Sequence, residues 1–265
     1  MFRWFTNLGN TCYFNSAIQT ILHIHEISSH ILDKKYTGDC KFTSAYEQLV
    51  HIYFKTQESK SFTIGPVLQE FVKIFPRFVI GHPHDSQDAL FCIIDILEKS
   101  YTYIKKLVYG EITQITISPV GKNTIKTPFC IHILNVKQNV KDLNIMIQES
   151  HKWNILEDYV DNNGKKHNVA TTRTLFSEYP KILFISFDKK SYVKIEEQLK
   201  IKNNVYELRS TIIHKGIQYG GHYMSITKLG DDWIIQDDDT LGKLKQFPKE
   251  DNHFIMVYNL KTLSY

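Results

Sequence analysis

The sequence lacks the features that mark secreted, zinc-ribbon or membrane-spanning proteins. It has only four cysteines among 265 residues, and none forms a Cys-x-x-Cys pair, so neither a disulfide framework nor a zinc ribbon is indicated. The densest apolar run, residues 182–187, is far too short to span a bilayer, and residues 1–5 lack the apolar stretch of a secretory signal. We therefore expect an intracellular protein with reduced thiols.

An excess of one charge is also missing. The chain has 32 basic and 28 acidic residues, a net charge of +4, and no long block of either sign. This balance predicts no nucleic-acid partner and no anionic membrane surface. Hydrophobic residues make up 42% and charged residues 23%, as in an ordinary globular protein that is long enough to bury a sizeable core.

A cysteine stands where a loop is predicted to become a helix. Apolar residues recur at positions 14, 17, 18, 21 and 22, which is the spacing of one helix face, so Cys12 lies at or near the first turn. Unpaired N–H groups and the positive end of the helix dipole favour a thiolate there. Because a lone cysteine at such a place is more often a small buried hydrophobic residue, a nucleophilic role depends on the rest of the chain.

A histidine and an aspartate in the last third of the chain complete a possible catalytic set. His222 follows two glycines, and Asp237 comes fifteen residues later, after a strand-like segment at 233–236. If the two segments are antiparallel neighbours, Asp237 can face His222. Cys12 is then the nucleophile, His222 its base and later the acid for the leaving amine, and Asp237 the group that orients the imidazole.

Two further side chains belong to this hypothesis. Asn7, five residues before the cysteine, is predicted to aim its amide at the oxyanion beside the backbone N–H of Cys12. Asp238 either shares the work of Asp237 or caps the turn, and we place Asp237 first.

The periodicity predicts helices first and strands last. Helices are expected after Cys12 and at 44–56, 66–75 and about 86–97, then a hairpin-rich segment from 109, a β-prone run at 129–136, a short helix at 140–149 and a polar loop at 161–166. Strands are expected at 182–187, 205–213, 222–228, 233–236 and 254–258. The prediction is one α+β domain with a mostly antiparallel sheet.

Four motifs resemble those of the ubiquitin-specific proteases, a family of papain-like deubiquitinases. Residues 7–16, Asn-Leu-Gly-Asn-Thr-Cys-Tyr-Phe-Asn-Ser, are similar to the family's cysteine box, and residues 206–223 with 233–241 are similar to its histidine box. Between them, Ser-Gln-Asp-Ala at 86–89 resembles a Gln-Gln-Asp-Ala motif, and residues 179–183 resemble a Pro-x-x-Leu strand. The resemblance extends over nearly the whole chain, in order.

The resemblance implies a papain-like fold within a single catalytic domain, residues 1–265. It would comprise a helical thumb at about 1–108, β-rich fingers and a connection at 109–175, and an antiparallel palm at 176–265, with Cys12 on the thumb facing His222 on the palm. The implied activity is thiol-dependent hydrolysis of the isopeptide or peptide bond after the carboxyl-terminal Gly-Gly of ubiquitin. The partners would be ubiquitin, polyubiquitin and ubiquitinated proteins, and the enzyme a monomer without a cofactor.

The same resemblance suggests residues that bind the substrate tail. Asp88 would offer a carboxylate to a tail arginine beside Gln87, although both residues also suit the first turn of an ordinary helix. Gly221 and Tyr223 would line the narrow part of the cleft, where only glycines of the substrate fit.

The chain also departs from the family pattern. Phe91 stands where members usually carry a glutamate, which places the preference among ubiquitin and its relatives in question. Many members bind zinc in the fingers through two Cys-x-x-Cys pairs, but the aligned positions here are Ser118, Gly121, Asp161 and Gly164. We therefore expect no metal site in the fingers.

Three alternatives stay open at the level of sequence. The first alternative is a catalytically weak pseudoprotease that binds ubiquitin, and the second is a protease for a ubiquitin-like modifier. The third is an acyltransferase that uses the same cysteine and histidine. The chain begins almost at the cysteine box and ends soon after the last predicted strand, and it is rich in isoleucine. These features suggest a compact stand-alone enzyme of viral or parasite origin that acts in the cytoplasm or nucleus of a eukaryotic cell.

Overall fold

A computed structural model gives the fold of the chain. It describes residues 3–57, 60–136, 141–161, 163–188, 191–217 and 220–261. The first part of the chain contains β1 (Arg3–Phe5), α1 (Cys12–Leu22), α2 (His25–Asp33), α3 (Lys41–Lys55), β2 (Lys60–Phe62), α4 (Gly65–Ile74), α5 (Ser86–Ser100) and α6 (Thr102–Val108). The second contains β3 (Gly110–Ser118), β4 (Gly121–Phe129), β5 (Ile131–Leu134), α7 (Leu143–Ser150), β6 (Asn154–Val160), β7 (Lys166–Glu178) and β8 (Ile182–Phe187). The last contains β9 (Val193–Lys194), β10 (Gln198–Ile201), β11 (Asn204–Ile217), β12 (Gly220–Leu229), β13 (Asp232–Asp237), β14 (Thr240–Leu244), β15 (Glu250–Asp251) and β16 (His253–Leu260).

Local signals set the ends of the predicted helices. The Asp85 carboxylate accepts hydrogen bonds from the backbone N–H groups of Gln87 at 2.7 Å and Asp88 at 3.3 Å, so it caps the start of α5. Pro66 lies in the first turn of α4, which ends at Ile74, just before the Phe75-Pro76 pair. The helix predictions near 12, 44–56, 66–75 and 86–97 are confirmed.

The spacing of apolar residues did not predict some of the helices and strands. The helices α2 and α6 are short, and α2 buries only Ile27, Ser28 and Ile31, too few positions to define a helical repeat. The helix predicted at 140–149 is found as α7, although residue 140 lies outside the described residues. Strands β6 and β7 were not predicted, because neither alternates regularly between buried and exposed positions. The threonines of β7 favour a strand, but they do not define a buried face.

An eight-stranded sheet forms the larger β layer. Its order is β14-β13-β12-β11-β16-β8-β5, with β10 paired to β11. Its pairs are antiparallel except for β5 with β8. Strands β12 and β13 are antiparallel neighbours, with Ser225 opposite Gln236, which is the condition under which Asp237 can face His222. The hairpin expected from residue 109 is also confirmed, as β3 and β4 in a separate antiparallel sheet of order β4-β3-β7-β6.

The eight-stranded sheet is covered on both faces. Alternate residues of β8 point to opposite sides: Ile182 and Phe184 pack into the core shared with the helices α1 to α6. Leu183 and Ile185 pack into a second core with α7. Helix α1 lies directly on β12 and β11, and this packing brings the amino end of the chain to the carboxyl-terminal third. Among the described residues, no helix is both long and apolar enough to cross a membrane.

Candidate active site

Cys12 is the first residue of α1, and a tight loop precedes it. The Asn7 side-chain oxygen accepts from the backbone N–H of Gly9 at 2.8 Å and from that of Thr11 at 3.3 Å. Gly9 and Asn10 have φ values of 94° and 53°, in the left-handed region that suits glycine and asparagine. The predicted start of the helix at Cys12 is confirmed, and the Cys12 residue is only 7% exposed.

The start of α5 is anchored against this loop. The Ser86 hydroxyl donates to the backbone oxygen of Tyr13 at 2.9 Å. The Asn10 side-chain amide donates to the backbone oxygen of Gly81 at 2.7 Å. The motif at 86–89 therefore contacts the cysteine box, although some seventy residues separate them in the sequence.

His222 lies between Cys12 and Asp237. Its Nε2–H donates to Oδ1 of Asp237, and its ring is also hydrogen-bonded to Cys12. Because Asp237 takes Nε2, Nδ1 is the ring nitrogen left to face the sulfur. The structure thus brings together the three residues that the sequence predicts as nucleophile, base and orienting acid.

The surroundings of His222 favour its charged form. The hydrogen bond to Cys12 is the largest cause, and with the bond to Asp237 it outweighs the opposing effect of burial, raising the pKa of His222 to about 9. The imidazole is therefore mainly protonated at neutral pH, and an imidazolium next to a sulfur stabilises a thiolate. With 40% of its side chain exposed, His222 can meet a molecule that enters from solvent.

Asp238 lies behind this set and is held by two asparagines. Its Oδ2 accepts from the Asn7 amide and its Oδ1 from the Asn15 amide, both at 2.6 Å. Oδ2 is also 3.9 Å from Nε2 of His222. The pKa of Asp238 is raised overall, because the effect of burial exceeds the opposing effect of the two asparagine hydrogen bonds. Asn15 was missed at the sequence level, and the only available signal was its position one turn after the cysteine.

The Asn7 amide therefore has a protein partner. One N–H of the Asn7 side chain donates to Asp238, whereas the cysteine box predicts that this amide donates to an oxyanion. Since an amide nitrogen carries two hydrogens, one remains for a second acceptor. Donation to an oxyanion stays a prediction.

Two of the predicted substrate-binding residues lie at the start of α5. Asp88 is exposed and Gln87 is partly buried, with the Gln87 side-chain oxygen accepting from the hydroxyl of Ser186 in β8. Gln87 thus joins α5 to the eight-stranded sheet. Phe91, one turn after Asp88, is 49% exposed, so both face solvent from the same helix.

The other two predicted substrate-binding residues flank His222 in β12. Tyr223 is only 5% exposed, and its hydroxyl donates to Oδ2 of Asp85 at 3.1 Å, so its visible role is to join β12 to the cap of α5. Gly221 lies against the ring of His214, because a Cβ there would come within 2.0 Å of two atoms of that ring. Contact of either residue with a substrate tail stays a prediction.

The positions aligned with zinc ligands do not fit a zinc site. Ser118, Gly121 and Asp161 line one shallow pocket between the tips of two hairpins. Gly121 and Gly164 have no side chain, and the Asp161 carboxylate already accepts from His167 at 2.9 Å, whereas structural zinc takes four nitrogen or sulfur ligands. Elsewhere in the described parts of the chain, the only group with metal-ligand spacing is His222, Asp237 and Asp238 itself.

The fold matches solved structures closely despite low sequence identity. The SAGA Ubp8/Sgf11/Sus1/Sgf73 DUB module bound to monoubiquitin aligns with a TM-score of 0.85 at 18% identity, covering 98% of this chain and 69% of that chain. The same module bound to ubiquitin aldehyde aligns with a TM-score of 0.82 at 19% identity, covering 98% and 70%. The predicted α+β, papain-like fold is confirmed.

Curated relatives include proteins named ubiquitin carboxyl-terminal hydrolase 36. The Drosophila grimshawi protein is 23% identical over 310 residues, covering 96% of this chain and 25% of its own length. The Drosophila erecta protein is 23% identical over 311 residues, covering 96% and 28%. The chain thus spans about a quarter of the length of these relatives.

A model of one protein family matches almost the entire chain. The match covers residues 4–258, and the family is described as ubiquitin carboxyl-terminal hydrolase. Together with the fold, this match confirms the resemblance drawn from the cysteine and histidine boxes. The chain belongs to the ubiquitin carboxyl-terminal hydrolase family.

Proposed function

We propose that the chain is a deubiquitinase that hydrolyses the isopeptide or peptide bond after the carboxyl-terminal Gly-Gly of ubiquitin. The observation that carries this proposal is the position of His222, hydrogen-bonded to both Cys12 and Asp237. Three residues distant in sequence form the nucleophile, base and orienting acid of a cysteine protease. Family membership supplies the substrate class.

The reaction follows from these contacts. The Cys12 thiolate, paired with the His222 imidazolium, attacks the carbonyl carbon of the last ubiquitin glycine. The resulting oxyanion accepts hydrogen bonds from the backbone N–H of Cys12 and the remaining N–H of the Asn7 amide. His222 then donates its proton to the leaving lysine amine, and an acyl-enzyme remains on Cys12.

The second half of the reaction uses the same groups in reverse. A water molecule loses a proton to His222 and attacks the acyl-enzyme, and collapse of the second oxyanion releases ubiquitin with a free carboxylate. Asp237 accepts from Nε2–H throughout, so the Nδ1 face of the ring stays directed at the sulfur. No cofactor takes part in any of these steps.

Ubiquitin as the partner is supported by the solved structural neighbours. Those proteins are bound to monoubiquitin or ubiquitin aldehyde, and the exposed carboxylate of Asp88 is available for a tail arginine. In this proposal the chain acts as a single catalytic unit inside the cell, with residues 1–108 as thumb, 109–175 as fingers and connection, and 176–265 as palm. The pseudoprotease alternative is not favoured, because the catalytic contacts are intact.

The test is release of a fluorophore from the carboxyl end of ubiquitin. We expect Cys12→Ala and His222→Ala to lower kcat/KM by about 10⁴-fold or more, because each removes a member of a unit that acts together. Asn7→Ala should lower kcat by about 10² to 10³-fold.

A matched control is Cys40→Ala, which removes a thiol outside the site and should leave the rate unchanged. Full activity of Cys12→Ala would refute the proposal. Comparing ubiquitin with a ubiquitin-like modifier in the same assay, for wild type and Asp88→Ala, tests the substrate class. A preference for the modifier would favour the alternative that the protein is a protease for a ubiquitin-like modifier. In that case Phe91, in place of the usual glutamate, would suit the tail of the modifier.

A further inference from the structure

A small cavity lies directly behind the catalytic residues. It has a volume of about 10 Å³ and is lined by Asn15, Ser16 and Gln19 of α1 together with Gln236 and Asp238. This volume accommodates about one water molecule. Phe5, Tyr223 and Ser225 complete its lining, so its walls combine apolar and polar groups. One of the polar groups is the Asp238 carboxylate, which also contacts Asn7.

Two buried oxygens at this cavity have no hydrogen-bond partner among the described protein atoms. They are Oδ1 of Asn15 and Oε1 of Gln19, which lie one turn apart on the same face of α1. The Gln19 amide nitrogen already donates to Tyr53 at 2.8 Å and to the backbone oxygen of Arg3 at 3.1 Å. Both oxygens are acceptors, so a single water can donate one hydrogen to each.

The orientation of the Asn15 amide is determined by Asp238. Its nitrogen donates to Oδ1 at 2.6 Å, and the flipped amide would place an oxygen against a carboxylate. The bond is buried, since Asn15 is 5% exposed and the Asp238 side chain 9%. A charged hydrogen bond in such surroundings is stronger than one in water.

Asn15 and Asn7 share this carboxylate between them. Each asparagine holds one of its two oxygens at 2.6 Å, so Asp238 cannot rotate without breaking one bond. Asp238 also has a φ of 44°, an unusual backbone conformation for a residue with a side chain. Asn15 and Asn7 are thus connected through the two oxygens of one carboxylate.

We propose that Asn15 is a positioning residue, which, together with one buried water shared with Gln19, holds Asp238 so that the Asn7 amide stays directed at the oxyanion. This inference rests on the proposed function. It predicts that Asn15 affects the stabilisation of the oxyanion and leaves the pairing of Cys12 with His222 unchanged. The two effects are separable, because alkylation of a thiolate forms no oxyanion.

The first experiment compares kcat with alkylation. Asn15→Ala should lower kcat for the ubiquitin fluorophore by about tenfold to a hundredfold, with KM changed by less than about twofold. The rate at which iodoacetamide alkylates Cys12, followed by mass spectrometry across pH, should match wild type. The isosteric variant Asn15→Asp should lose at least as much activity, because it places a second carboxylate against Asp238.

A matched control is available in the next residue. Ser16 is buried at the same cavity and bonds to Tyr13 and Ser86 instead of Asp238, so Ser16→Ala should retain wild-type kcat. In an Asp238→Ala background, Asn15→Ala should add less than about a twofold loss, because the two residues act as one unit. Unchanged kcat in Asn15→Ala, losses that multiply in the double variant, or altered alkylation would each overturn the inference.

A second measurement needs no activity, so failure of the proposed function is distinguishable from failure of this inference. The NMR signals of the Asn7 side-chain amide, assigned with Asn7→Ala, should shift in Asn15→Ala and stay in place in Ser16→Ala. Unmoved signals would overturn the inference even in an inactive protein. A crystal structure should show one ordered water bonded to Asn15 and Gln19, and a dry cavity would overturn the shared water.

Discussion

The residue that joins the two halves of the site is His222. Its imidazole is hydrogen-bonded to a side chain from the first twelve residues and to one that follows it by fifteen. Both bonds favour the imidazolium, and burial opposes it. The charge state of His222 thus depends on the contact between its ring in β12 and Cys12 at the start of α1.

At this scale we predict the titration of His222. In wild type, NMR should place its midpoint at about pH 9, so that the ring is charged at neutral pH and loses its proton only in alkaline solution. Cys12→Ala should move the midpoint to lower pH, because the largest cause of the raised pKa is removed while the opposing effect of burial remains.

His253 offers a control within the same spectra. Its pKa is lowered mainly by burial, partly offset by a hydrogen bond to the backbone oxygen of Pro248, and it should be unaffected by Cys12→Ala. A midpoint for His222 that does not fall in this variant would show that the sulfur and the ring do not interact.

At the scale of secondary structure, the pairing of β11 with β12 positions His222 in the site. His214 pairs with Tyr223, and Gly216 pairs with Gly221. The ring of His214 fills the space where a side chain of Gly221 would lie, at 2.0 Å from the Cβ position. Strand β12 can therefore stay paired with β11 up to His222 only because Gly221 has no Cβ.

We therefore predict that Gly221→Ala costs about 1–3 kcal/mol of stability through overpacking and lowers activity by displacing His222. Urea unfolding and the ubiquitin fluorophore assay would measure the two effects. The double variant Gly221→Ala with His214→Ala should recover part of both losses, although the backbone oxygen of Lys215 still lies 2.9 Å from the new Cβ.

Gly242→Ala is a milder comparison in the same sheet. Its Cβ would meet a methyl group of Ile235 at 3.2 Å, so a small shift accommodates it. If Gly221→Ala is no more harmful than Gly242→Ala, close contact with His214 is not what requires glycine.

On the scale of the whole molecule, the eight-stranded sheet separates two cores. One face packs on the helices through residues such as Phe184 and Ile255, and the other packs on α7 through residues such as Ile185 and Met256. The four-stranded sheet adds Phe176 to the second core. Farther along that sheet, Ile117 and Ile155 are 44% and 70% exposed.

The difference in burial between the two sheets predicts which parts of the molecule unfold locally. Backbone amides of β8, of residues 210–214 in β11 and of residues 253–258 in β16 should exchange hydrogen only on global unfolding, because these stretches are buried on both faces. Amides near the turns of β3–β4 and β6–β7 should exchange at least about tenfold faster. Hydrogen exchange with mass spectrometry checks this, and equal protection of both sheets would contradict it.

Local sequence determined much of this architecture. The spacing of apolar residues after Cys12, the cap at Asp85 and the prolines around α4 each specify an element through interactions within a few residues, which is why these helices were predicted. The strands at 222–228 and 233–236 were predicted from their β-prone residues, and their antiparallel pairing was the condition on which Asp237 could face His222. The structure meets this condition, and Asp237 accepts a hydrogen bond from His222.

Other features were decided only by the tertiary structure. The Asp238 carboxylate binds Asn7 and Asn15, and Tyr223 is buried with its hydroxyl on Asp85. These contacts cross more than a hundred residues, so no local pattern records them. Residue types and helix starts are local properties, so the order of amino acids alone indicated which side chains can perform the chemistry. Packing of α1 on the eight-stranded sheet decided which of them share one carboxylate, because only folding brings residues 7, 15 and 238 together.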